Sequence, residues 1–197
     1  RTVIPRLAGP EHKDLILQHL ASCYDLVEIV IRQGWVIDAK ETLILELKKR
    51  PDYLPDGWIR GVAMLEDPAT YNDLAEYFIN SRHKERAYKI IKQLPNIDLT
   101  NAVARAWKNS KYSVDWEVRE AAQIAMEYGH LDALETAIKI LETSNLDDRY
   151  RKELMRVIEK VSLVTGTSEQ IVEWYKTNKS KIIFDYNAGK FIVRGDE

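Results

Sequence analysis

Breakers and cross-links are what this chain has least of. Cys23 is the lone cysteine among 197 residues, so no intramolecular disulfide can form. It lies in an apolar helical run and reads as a small buried hydrophobe. Eight glycines and six prolines leave long stretches without a breaker, which favours helix over strand. No apolar run approaches the roughly 20 residues needed to span a bilayer, and no secretory signal pattern is present. The charge is nearly balanced, with 29 basic and 31 acidic side chains for a net of -2. That balance disfavours a protein whose main task is gripping nucleic acid, although it leaves room for a local patch. The phosphate-binding, dinucleotide, zinc-protease and serine-hydrolase signatures are also missing. The chain starts at Arg1, which points to a processed form or a piece of a longer chain. The compartment therefore stays open, with the cytoplasm the preferred reading.

What is present is helical periodicity. A chain of this length suits one domain or one short solenoid, and its core needs neither metal nor disulfide. The clearest stretch is Asp115 to Leu141. Val118, Ala121, Ala122, Ala125 and Tyr128 share one helical face, and Leu131, Leu134, Ile138 and Leu141 share another, with a break at Gly129-His130. The alanine-rich first face lets another backbone pack close.

Before this pair, a lead-in over residues 1–10 precedes a helix with Leu15, Ile16, His19 and Leu20. A second helix runs from about Tyr24 and stops at Gly34. A third is expected from Trp35 to Lys49, with Ile37, Leu43, Leu45 and Leu47, closed by Lys48-Lys49-Arg50-Pro51. Pro55-Asp56 opens a helix through Trp58, Ile59, Val62 and Leu65, and Asp67-Pro68 caps one with Leu74, Tyr77 and Phe78. Residues 82–94 form another, ended by Pro95, and Asp98 caps the next. After the central pair, Asp147-Asp148 start a helix through Leu154 and Ile158. Thr167 and Gln170 have capping-box spacing ahead of Ile171, Trp174 and Tyr175. The end differs: Ile182–Tyr186 and Lys190–Val193 are β-prone, and Asn187-Ala188-Gly189 between them predicts a hairpin with glycine in the left-handed position. It should lie against the last helix.

The predicted fold is therefore all-α: a right-handed α-solenoid of antiparallel helix pairs with a small C-terminal β-hairpin. Its divisions are a lead-in at 1–10, helical repeats at 11–181, and a hairpin cap and tail at 182–197. A faint period supports pairing. Leu47–Val62 and Ile91–Ala106 both run from a basic helix end through a proline break into a helix with valine, about 44 residues apart, the repeat length of HEAT-type units.

Few residues invite a chemical role. Glu127-x-x-His130 has the spacing of half a di-iron site, but Gly129 interrupts it and no second half is found. His12 and His19 lack a third ligand. No metal and no cofactor is expected, and the spread of carboxylates singles out no acid–base pair. Two features stand out. Arg82, Lys84, Arg86, Lys89 and Lys92 make a basic helix in which Arg82, Arg86 and Lys89 share a face. It is either a patch for phosphate or an acidic partner, or an ordinary solvated face. Five tryptophans and ten tyrosines serve either inter-helix packing or a binding groove. Trp107 and Trp116 are the first candidates for a groove.

Asp115-Trp-Glu-Val-Arg119-Glu-Ala-Ala122, followed by the second amphipathic helix, resembles a unit of the HEAT repeat family. The closing WYKTNKSKIIFDYNAGKF resembles the C-terminal tails of some bacterial HEAT-like proteins. The resemblance implies a non-catalytic scaffold that binds a protein or peptide on a concave face. Trp107, Trp116, Val118, Arg119, Ala121 and Ala122 are also similar to a segment of the HEAT-like alkylpurine DNA glycosylases. That likeness implies nucleic-acid binding or base excision, with Arg82, Arg86 and Lys89 as the basic surface. Glu120 departs from it by replacing a second arginine, and the further aromatic and basic helix expected around Arg149–Val164 is not evident in the sequence. A rigid spacer within a longer chain is a third alternative.

Overall fold

In a computed structural model, the described residues are 9–50, 53–95, 97–110, 115–143 and 146–195. Most of the expected lead-in and the Pro51 stop lie outside them. Eleven α-helices and a two-stranded sheet are found among the described residues. The helices are α1 (Lys13–His19), α2 (Leu26–Arg32), α3 (Lys40–Lys49), α4 (Asp56–Ala63), α5 (Pro68–Asn80), α6 (Lys84–Ile91), α7 (Thr100–Ser110), α8 (Asp115–Glu127), α9 (Leu131–Leu141), α10 (Asp148–Val161) and α11 (Ser168–Asn178). Strands β1 (Ile182–Asp185) and β2 (Lys190–Val193) close the chain. None of these helices is long and apolar enough to cross a membrane.

The chain divides into two compact units, with the border inside α7 between Ala102 and Val103. In the first, α2 packs on α4 and α4 on α6, while α3 packs on α5. Most consecutive helices also touch, so the helices alternate between two rows. Gly57 brings α4 close to α2, since a Cβ there would stand 2.8 Å from Val27 Cγ1. Trp58, Ile59 and Val62 fill the space between, with Leu43, Leu74 and Phe78 from the other row. The second unit repeats the pattern, with α8 on α10 and α9 on α11. Its core joins Ala121, Ala122 and Ala125 to Leu134, Ile138, Leu154, Ile158 and Ile171.

Most predicted stops and starts are built as expected. Asp67 Oδ1 accepts the Ala69 amide at 2.9 Å, and Asp147 Oδ1 accepts that of Arg149 at 2.8 Å. The Asp98 carboxylate accepts the Thr100 amide at 2.9 Å. Thr167 and Gln170 form the full capping box. Helices α2 and α8 end in the same device. The amide of Trp35 reaches back to the Val30 carbonyl and that of Gly34 to Ile31; His130 and Gly129 do the same to Ala125 and Met126. Both glycines have left-handed backbones, φ 72° and 81°, as this motif requires.

Three expectations fail in the helical part. Trp35–Ala39 is a run of turns and α3 starts only at Lys40, because Gly34 re-aims the chain. Trp35 faces inward, while Ile37 is 80% exposed. Cys23 is exposed, since the extended backbone after the short 3-10 turn Leu20–Ser22 carries it out of the apolar row. The basic helix begins at Lys84, not at 82.

The hairpin is antiparallel, with Ile182 opposite Val193 and Asp185 opposite Lys190. Instead of lying mainly against the last helix, as expected, it packs on the end of α10, where Ser162 bridges to Phe191, and on the turn after α8, where the Phe184 ring lies over Gly129. Phe191 is fully buried. An isolated hairpin is only marginally stable, so these contacts hold it in place.

Candidate functional site

The basic helix α6 is largely neutralised within its own unit. Lys84 is buried and its Nζ donates to the Ser81 carbonyl at 2.7 Å. Arg86 pairs with Asp56 of α4 at 3.1 Å, Lys89 pairs with Glu85, and Lys92 sits over the Tyr88 ring. Arg82 is exposed just ahead of the helix. The predicted row of five cations therefore loses Lys84 to the interior, because its long stem packs along the helix while its head caps a carbonyl.

Trp107 is a core residue, 4% exposed, with its indole Nε1 donating to Asp132 Oδ2 of α9 at 2.9 Å. A buried indole is usually satisfied in this way. Trp58 is also buried, while Trp116 is 36% exposed on α8. One turn further along α8, Arg119 stacks on the ring of Tyr150, with Cζ 4.3 Å from the centroid. Tyr150 belongs to α10 and is itself 47% exposed. The second unit thus brings Trp116 and Arg119 to one surface with Tyr150, whereas Trp107 stays inside. Arg82, Arg86 and Lys89 belong to the other unit.

The outward side of α10 adds what the sequence reading passed over. Arg149, Lys152 and Arg156 are exposed, spaced i, i+3, i+7, and opposite the buried Leu154, Ile158 and Val161. With Glu153 they line a shallow depression of about 490 Å³. Among the described residues none of these three cations pairs with an acid. Helix α10 thus carries Tyr150 and these cations on its exposed side. The signal was their spacing, hidden by Asp148, Glu153 and Glu159 in the same stretch.

A second cleft of about 520 Å³ lies between the end of α9 and the start of α11, lined among others by Glu142, Arg151, Ser168, Glu173 and Lys176. Its charges are already matched. Arg151 donates to the carbonyls of Leu141 and Thr143, at 2.9 and 3.1 Å. Lys176 Nζ lies 2.7 Å from Glu142, and that hydrogen bond raises its pKa. Glu127 pairs with Lys160 at 2.6 Å, and His130 stands at the N-cap of α9 without a side-chain cap bond. Among the described residues no cluster of three His, Cys, Asp or Glu side chains could hold a metal. No family model, no curated protein and no solved structure matches the chain.

Proposed function

We propose that the protein is a non-catalytic binding scaffold, a right-handed stack of HEAT-like helix pairs that presents one helical row to a protein or peptide. The two-row packing within each unit supports the repeat reading. The observation that carries the function is the Arg119–Tyr150 stack across α8 and α10, with the exposed Trp116 one turn before Arg119 on α8. Tryptophan, tyrosine and arginine are the residue types that dominate binding energy at protein interfaces. Here the arginine is held over the tyrosine ring before any partner arrives, which lowers the ordering cost of association. The competing nucleic-acid or base-excising reading leans on Trp107, Trp116, Arg119 and the basic row Arg82, Arg86 and Lys89, so it shares Trp116 and Arg119 with the scaffold reading. Trp107 is inside the core and Arg86 and Lys89 are paired, so the scaffold reading has the better support.

The test is a random peptide library displayed on phage and selected against the full chain. Selected peptides are expected to lose affinity by about tenfold or more, about 1.4 kcal/mol, on Trp116→Ala or Tyr150→Ala. Peptides whose binding ignores both substitutions would place recognition elsewhere and overturn the reading.

A further inference from the structure

We propose that the outward face of α10 docks an acidic protein segment, whose carboxylates pair with Arg149, Lys152 and Arg156. This rests on the protein-recognition reading above and names the chemistry of its partner.

Three observations converge. The first is geometric. The core side of α10 is Leu154, Ile158 and Val161, so the three cations project to solvent along one side of the helix. Arg149 to Arg156 spans about 10 Å of axis at 1.5 Å per residue. The second is electrostatic. The other two cations of this helix are engaged: Arg151 holds the carbonyl end of α9, and Lys160 pairs with Glu127 of α8. Arg149, Lys152 and Arg156 have no acidic partner among the described residues, so their charge is left for an external one. The third is continuity. Arg149 precedes Tyr150 in the chain, and Tyr150 carries the Arg119 guanidinium on its ring. Tyr150 thus adjoins the N-terminal end of the cationic row, about 100° around the helix from Arg149.

The ligand chemistry follows from the donors. A guanidinium presents a planar fork that matches a carboxylate bidentately, and lysine adds a point charge. Glu153 sits inside the row. It would repel an unbroken phosphate backbone, but it leaves room for carboxylates set apart on either side. A net charge of -2 for the whole chain likewise gives no broad field for a polyanion.

The experiment is fluorescence anisotropy of the full chain with a fluorescein-labelled octaglutamate peptide. Comparison probes are oligothymidine of equal charge and phosphatidylserine vesicles. Binding is expected at about 0.01 M salt and should weaken by about 0.15 M, where the screening length falls from about 30 Å to about 8 Å. The combined Arg149→Glu, Lys152→Glu, Arg156→Glu variant should lose about tenfold or more in affinity, and Arg86→Glu should lose nothing. The neutral glutamine versions of the three changes serve if the reversal variant does not fold. Absence of binding at low salt, an unchanged affinity in the triple variant, or tighter binding of oligothymidine or vesicles would each overturn the proposal. Loss on the triple variant with none on Tyr150→Ala would support it while removing the aromatic reading. Loss on Tyr150→Ala alone would do the reverse.

Discussion

Helix α6 in the first unit and helix α10 in the second are both rich in arginine and lysine, yet they dispose of that charge in opposite ways. In α6 a lysine is buried, an arginine crosses to Asp56 and a lysine is answered by Glu85. In α10 Arg151 and Lys160 are engaged, while Arg149, Lys152 and Arg156 are not. A basic run in sequence therefore says little about available charge. What matters is which acids come within reach, from the same helix, as Glu85 does for Lys89, or from about thirty positions away in the chain, as Asp56 does for Arg86.

The same contrast recurs where helices α2 and α8 stop, and there it has the largest expected effect. Gly34 and Gly129 share a backbone conformation, but a Cβ at Gly34 meets nothing, whereas one at Gly129 would stand 2.6 Å from the Phe184 ring. Gly34→Ala should cost about 1–2 kcal/mol for the left-handed backbone. Gly129→Ala should cost about 1–3 kcal/mol more, because the hairpin must also shift. Urea unfolding of both variants checks this. Equal losses would show that Phe184 does not rest on the turn.

Two of the buried tryptophans come next. The Trp107 indole donates to a carboxylate, while Trp58 Nε1 is buried without a partner among the described residues. Trp107→Phe should lose about 1.5–3 kcal/mol, as expected for a hydrogen bond to a charged group. Trp58→Phe should lose less, because it removes an unsatisfied donor along with the ring. A larger loss at Trp58 would mean that its Nε1 is bonded to something, such as an ordered water.

Smaller effects separate the two basic helices directly. Arg86→Ala removes an exposed ion pair and should cost no more than about 1 kcal/mol. Arg156→Ala should change thermal stability by less than about 0.5 kcal/mol while weakening octaglutamate binding. A stability loss at Arg156 equal to that at Arg86 would mean the α10 row is paired after all.

The faintest expected difference is in pH response. Lys40, by hydrogen bond, and the Ala69 amide hold the Asp67 carboxyl below its usual value. Lys179 and then Lys139 do the same for Glu135. Lowered carboxyls contribute stability above their unfolded values, near 4, and that contribution is lost as pH falls through the folded ones. The hydrogen bond to Glu135 raises Lys179. Its contribution is present below about 10.4 and is lost as pH rises through the folded value. Melting curves of Lys40→Met and Lys179→Met should show a weaker acid loss in both, and Lys179→Met a weaker alkaline loss as well. Identical pH profiles in parent and variants would remove these pairs from the stability balance.

Much of the fold could be read from local signals. Asp67, Asp147 and Thr167 begin helices, Gly34 and Gly129 end them, and Gly189 turns the hairpin at φ 64°. Those signals work because caps and left-handed turns depend on residues within one helical turn of each other. They fail where a neighbour must be known. Periodicity continued α3 back to Trp35 because it cannot sense that the chain has been turned at Gly34. Cys23 and Lys84 were each assigned the wrong environment from their apolar or charged surroundings in sequence. The α10 cations were overlooked because the acids beside them in sequence do not neutralise them in space.

Sequence alone determined that this chain is helical, where most of its helices begin and end, and that a hairpin closes it, since these follow from backbone conformation and short-range hydrogen bonding. Tertiary structure alone decided that Trp107 is a post in the core, that α6 is neutralised, and that Trp116, Arg119, Tyr150 and the α10 cations share one unit's surface. Burial, and ion pairs such as Arg86 with Asp56, are properties of side chains brought together across different helices, and no spacing within one helix contains them.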